Sequence, residues 1–503
     1  MHNKKDPFTR LTEISTKIAT LQSIHSLLEW DQETYMPEGA IQSRSDQLQL
    51  LSGILHKQRT SSSYKKALSD LIDLSTGEIK QKEASFEVKA AAREWRRQFL
   101  QDAKIPSSFV KSFTKCTSAA LHAWAEAKKS NNFSLFSPHL EKIVSLSRKK
   151  AELLGYKEHP YDALLDLYEP NLTVSTLTPL FNHLKEALTS LLAKIQKQPK
   201  ADTLSLGVFS EELQKKTGHF LLEVMGFSKD TSRLDLSSHP FCTGIHLTDN
   251  RMTTRIDPHH FTSNIYSVLH EGGHALYHQN LPEKYYGTPL CEAVSYGVDE
   301  SQSRLWETQL GKSSAFCSFL FPKLKEIFPD NFSSISLENF YHFINQVASS
   351  EIRVEADEVT YSLHIILRFE IEKGLMEGSI KVKDIPAIWN AKMQETLGII
   401  PTSDATGCLQ DIHWAMGGIG YFPSYVLGNL LAAQLFSTIK TAFPSWEQKV
   451  SQGDVSFIKD WLQKNIHQYG KIYSPEELIL KATKKPIGVE DYIAYLNTKF
   501  GHL

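Results

Sequence analysis

The sequence lacks what several large protein classes require. Its five cysteines, Cys116, Cys242, Cys291, Cys317 and Cys408, are scattered, odd in number and never spaced C-x-x-C. This argues against a disulfide framework or a cysteine metal cluster and fits reduced thiols in a cytosol. Apolar residues nowhere run for the roughly 18 positions of a membrane span, and the opening MHNKKDPFTR leads into polar-spaced sequence rather than the apolar stretch of a signal peptide. Charge of one sign is missing too. Against 55 Lys and Arg stand 57 Asp and Glu, a net of -2, so no global field recruits nucleic acid or an anionic membrane. Long Pro/Gly/Ser linkers, low-complexity tracts and long-period repeats are also absent. The expectation is a cytoplasmic chain folded as one continuous unit over residues 1–503 around a cleft.

What the sequence does have is helical periodicity. Apolar residues recur at i, i+3, i+4 and i+7 through 11–30 and 339–375, which predicts a mainly α fold. The best strand candidate is 244–257, rich in Thr and branched residues, which predicts a small β-sheet just ahead of a histidine-rich helix. Turn clusters are expected at 134–139, 196–207, 401–407 and 473–477.

The chemistry concentrates in SVLHEGGHALYHQN, residues 267–280. His270 and His274 stand at i and i+4, one turn apart on one helix face, where two imidazoles can converge on a Zn²⁺ ion. Glu271 follows the first histidine and is placed to act as a base on a water at the metal. His278 repeats the spacing, but Ala275 cannot serve as its base, so a solvated or supporting role is expected for it. Gly272 and Gly273 each cost a helix interior about 1 kcal/mol relative to alanine. They call for close approach of a backbone or a substrate, or for tight helix packing. A third ligand is expected from SYGVDESQSRLWE, residues 295–307, with Glu300 preferred and Asp299 its neighbouring rival. The plain alternative is a carboxylate paired with Arg304.

Further motifs accompany this one in order: HPF (239–241), DNRMT (249–253), DESQ (299–302), IRVEAD (352–357) and GCLQDIHW (407–414), with LEWDQETYMPEGA (28–40) and GYFPSYVLGNL (420–430) towards the ends. Together they resemble the carboxypeptidase Taq family of zinc metallocarboxypeptidases, whose usual H-E-S-Q reads DESQ here. The resemblance spans nearly the whole chain. It implies a large helical two-lobed gluzincin fold with a deep groove. It also implies release of single residues from peptide C-termini with broad tolerance and poor action at proline, one Zn²⁺ per chain (Co²⁺ or Mn²⁺ as alternatives) and a homodimer.

With the resemblance in hand, residue roles can be assigned. His270, His274 and Glu300 are expected to hold the metal and Glu271 to act as general base. An oxyanion needs donors, and His413, Tyr421 and Tyr425 lie in one stretch. His413 and Tyr421 are favoured as donors, with Tyr425 towards substrate. A free C-terminal carboxylate calls for an arginine fork: Arg353 first, Arg251 second, against ion pairs with Asp357 and Asp249. Asp249 and Thr253 read as architectural, HPF as a turn into the strand, and the strand around DNRMTT as an edge open to extended substrate. Two other readings stand beside this one: an oligopeptidase of the same fold, and a non-catalytic peptide-binding cleft.

Overall fold

The computed structural model describes residues 6–81, 83–198, 204 and 206–501. Helices dominate, about two thirds of the residues, with one three-stranded sheet. No helix among the described residues is long and apolar enough to cross a membrane. The periodic stretch 11–30 lies inside a helix over Pro7–Thr34, which Asp6 caps and Pro7 starts.

Two large hydrophobic cores divide most of the chain. One gathers Phe181, Leu184, Leu363 and Trp389 with the C-terminal Leu496. The other gathers Leu221, Val268, Phe316 and Leu462. A third, smaller core joins the N-terminal helices through Leu68 and Trp95. The helix Pro423–Ala442 belongs to both large cores, burying Val426 and Leu430 in the first and Leu431 and Leu435 in the second. The candidate site forms along this shared helix.

The expected strand is a hairpin: β2 (Cys242–His246) and β3 (Asp249–Thr254), with β1 (Ser232–Leu236) added outside the predicted span. The order is β1-β3-β2, β1 parallel and β2 antiparallel to β3. DNRMTT is therefore the central strand. Both its edges are already paired, and edge addition of substrate to it is ruled out. Thr253 is architectural, as expected: its hydroxyl takes the Phe241 backbone N–H at 2.9 Å and the Ser237 hydroxyl at 2.7 Å, anchoring the HPF segment.

Three further expectations need correction. Residues 339–375 are not one helix. Helices Leu337–Ile344 and Tyr361–Glu377 flank an irregular segment whose only regular turn is Arg353–Glu355. Asp357 holds that segment open, accepting from the backbone N–H groups of Ala348, Val359 and Thr360 that a helix would otherwise use. Residues 134–139 lie inside the helix Phe133–Leu154, which tolerates Pro138 near its start. Residues 473–477 open a helix, with Ser474 and Glu477 forming a capping box. Much of 196–207 lies outside the described residues.

Candidate metal centre

The histidine helix (Phe261–Gln279) is tied to the sheet where the Thr254 hydroxyl meets Asn264 Oδ1 at 2.9 Å. The glutamate helix (Tyr296–Arg304) starts at Ser295, whose hydroxyl accepts from Val298 N–H, and continues as a π turn over Leu305–Leu310. Such turns recur at functional sites. These two helices touch backbone to backbone: a Cβ on Gly273 would stand 2.5 Å from the Gln302 carbonyl oxygen and 2.6 Å from Ser303 Cα. Gly272 faces Met225, and a Cβ added there would stand 2.6 Å from its terminal methyl. The paired glycines thus serve backbone approach at Gly273 and side-chain packing at Gly272.

That approach brings His270, His274 and Glu300 together, their ligand atoms all within 4.8 Å of one another. Glu300 Oε2 lies 3.8 Å from His270 Nε2 and 3.5 Å from His274 Nε2. Each imidazole is held from behind. His270 Nδ1 meets Glu307 Oε2 at 2.8 Å, and His274 Nδ1 meets Asp299 Oδ1 at 2.8 Å. With Nδ1–H committed to a carboxylate, each ring turns its Nε2 lone pair inward, the tautomer a metal ligand needs. Two such nitrogens and one carboxylate oxygen suit a divalent ion that keeps a coordination position open.

Burial pushes the Glu271 carboxyl up, and the two histidine ligands only partly oppose this. Asp299 differs from Glu300: it lies outside the ligand group, meeting His274 through Nδ1 and His278 Nε2 at 3.0 Å. His278 lies outside the ligand group. Neither acidic residue pairs with Arg304, whose guanidinium donates to Glu307 at 2.6 Å and to Asn429 at 2.7 Å.

The shared helix supplies the opposite wall. A Cβ on Gly428 would fall 2.7 Å from Glu300 Cβ, so only glycine lets the carboxylate sit there. His413 Nε2 and Tyr425 Oη are 3.2 Å apart, and the Tyr421 ring stacks edge-on to Tyr425. Burial lowers the His413 pKa to about 4, so the ring is neutral. Burial raises both phenols and the negative charge of Glu300 adds to this, so both tyrosines keep their protons near the metal trio.

Arg353 is buried at 6% exposure, and its partner is Asp411 rather than Asp357. Nε and Nη2 donate to Asp411 Oδ1 at 3.0 and 2.8 Å, and Nη1 donates to the Tyr361 hydroxyl at 3.0 Å. Arg251 pairs with Asp249 at 2.9 and 3.0 Å and lies 4.3 Å over the Trp30 ring. The arrangement of Arg251 is that of an architectural ion pair that fastens the N-terminal helix to the sheet.

The family model for the carboxypeptidase Taq (M32) metallopeptidases matches residues 10–500. The chain belongs to that family. It is similar to carboxypeptidase 1 of Bacillus subtilis, 38% identical over 98% of this chain and 97% of that one. It is also similar to thermostable carboxypeptidase 1 of Pyrococcus furiosus, 39% identical over 96% of each. The crystal structure of an M32 carboxypeptidase from Deinococcus radiodurans superposes with a TM-score of 0.95 at 35% identity, covering 99% of both chains. The chain is thus a metallocarboxypeptidase, a hydrolase of peptide bonds.

Within this Taq-type framework, sequence reasoning overlooked four supporting residues. Glu307 stands two helical turns after Glu300, a spacing that puts both on one face. That signal was available. Asp411 sits inside the GCLQDIHW motif, but only the fold shows that it binds Arg353 and Arg368 together. Glu169 accepts from Gly297 N–H at the head of the glutamate helix and from Ser424 at 2.8 Å in the shared helix. Glu372 takes Trp414 Nε1–H at 2.8 Å and Gly420 N–H at 2.9 Å, bracing the loop that carries His413 and Tyr421.

Proposed function

We propose that this metallocarboxypeptidase is zinc-dependent and releases single residues from free peptide C-termini, with broad side-chain tolerance and poor action at proline. The observation that carries the reading is the convergence of two carboxylate-backed imidazoles and Glu300 beside the buried Glu271. His270, His274 and Glu300 would hold a Zn²⁺ ion, with Co²⁺ or Mn²⁺ able to substitute, and the bound ion would supply Lewis-acid polarisation of a carbonyl and of water.

The chain's own residues do the rest. Glu271 takes a proton from the attacking water and returns it to the leaving amine. His413 and Tyr421 donate to the oxygen that becomes negative, and Tyr425 orients His413. Arg353 binds the substrate carboxylate: three of its five N–H bonds are used, leaving one on each terminal nitrogen for a bidentate contact. Arg251 is assigned an architectural role instead, paired with Asp249 and lying over the Trp30 ring of the N-terminal helix. The whole chain acts as one catalytic unit, and a cytoplasmic homodimer completes the reading.

Mass spectrometry of a free-acid peptide and its C-terminal amide, each incubated with zinc-loaded protein and with Glu271→Gln, tests this. Stepwise loss of single residues from the free acid alone, abolished in the variant, is expected. Internal cuts in both peptides would instead favour an oligopeptidase, and metal binding without cleavage a peptide-binding cleft.

A further inference from the structure

The two imidazoles of the metal centre are supported in parallel but unequal ways. Behind His270 stands Glu307, and behind Glu307 stands Arg304, a permanent cation 2.6 Å away. Behind His274 stands Asp299, and behind Asp299 stands His278, 3.0 Å away through Nε2. Asp299 spans two rings with its two oxygens.

His278 is itself fixed in place. Its Nδ1 is buried without a hydrogen-bond partner, and the ring packs on Gly244, where an added Cβ would lie 3.3 Å from both Nδ1 and Cβ of the histidine. With no partner on Nδ1, Nε2 is the ring nitrogen that donates to Asp299. Two donors thus converge on one carboxylate, from His274 and from His278.

We propose that Asp299 and His278 form a positioning pair for the metal ligand His274. Asp299 fixes the tautomer and tilt of His274 and strengthens it as a donor, and His278 holds Asp299 in the rotamer that does so. Glu307 and Asp299 thus place a carboxylate behind each of the two imidazoles. The inference rests on the metal site proposed above.

The test measures zinc affinity by chelator competition, and the visible absorption of the cobalt-substituted protein, for wild type, Asp299→Asn, Asp299→His, His278→Gln and His278→Phe. Asp299→Asn is expected to bind zinc about 10- to 100-fold more weakly with a shifted cobalt spectrum. Asp299→His should fall between it and wild type. His278→Gln, which keeps a donor, should stay within about threefold of wild type, while His278→Phe should approach Asp299→Asn. Circular dichroism separates loss of fold from loss of metal, and the His278 variants decide the matter if Asp299→Asn does not fold. Wild-type affinity and an unshifted spectrum in folded Asp299→Asn or Asp299→His would overturn the role of Asp299. Equal affinity of His278→Phe and wild type would overturn the role of His278. Absence of zinc binding in wild type would instead defeat the metal site itself.

Discussion

The Cα of Gly273 and the carbonyl of Gln302 meet so closely that a methyl group added to Gly273 would stand 2.5 Å from that oxygen. The candidate metal centre depends on two helix backbones touching there. Gly273→Ala must push the glutamate helix outward, since backbone cannot rotate aside as a side chain would. Overpacking of this kind costs about 1–3 kcal/mol. The expected result is a lowered thermal midpoint together with weaker zinc binding, and an unchanged zinc affinity would show that the helices separate without moving Glu300.

Arg353→Ala removes the proposed carboxylate anchor and leaves Asp411 to Arg368 alone. Loss of one member of a buried, hydrogen-bonded charge pair costs about 2–5 kcal/mol. The expected kinetic effect is a fall in kcat/KM of at least about 100-fold on free-acid peptides. Arg251→Lys, by contrast, should lower stability through lost stacking on Trp30 and leave KM nearly unchanged. Equal KM effects in the two variants would remove the distinction drawn between the two arginines.

Acid should destabilise the protein through buried neutral histidines. Burial lowers the pKa of His364 and of His467 to about 3, while an unfolded histidine titrates near about 6.5. As pH falls below about 6.5 the unfolded chain takes up protons that the folded chain refuses, so stability drops until about pH 3. His467 is held by Gln302 at 3.0 Å. His467→Gln should flatten the fall of the thermal midpoint between pH 6 and 4, and an unaltered slope would contradict the assignment.

Glu169 and Glu372 work in the opposite sense. Burial raises each carboxyl to about 7, against about 4.3 unfolded, so the folded chain holds protons that the unfolded chain has released. Their stabilisation is full below about pH 4.3 and is lost as pH rises through about 7, on the order of 3 kcal/mol for each. Glu372→Gln should reduce the decline in thermal midpoint from pH 5 to pH 8. A decline as steep as in wild type would show that Glu372 is ionised throughout.

Much of this site was legible in local spacing. His270, Glu271 and His274 stand on one helix turn, and a helix turn fixes relative directions without help from the rest of the fold. Glu300 was found by the same logic applied to a second amphipathic stretch. For Arg353 the sequence offers Asp357, close by in the chain, as an ion-pair partner, while the fold brings Asp411 from a distant loop. The strand DNRMTT was legible as a strand but not as the central one, because β1 precedes it at a distance no local pattern encodes. The break at 345–360 escaped for a related reason. Its apolar residues keep a helical rhythm, and bonds to Asp357 within the segment and to the distant Gln410 keep the backbone from coiling.

The parts of the centre also arrive in a set order during synthesis. A ribosome that has made the first 400 residues has delivered His270, His274, Glu300 and Arg353. It has not delivered Asp411, His413, Tyr421, or the helix carrying Tyr425 and the glycine against which Glu300 rests. An unfinished chain therefore holds the ligands for a metal without the wall that makes them a peptidase.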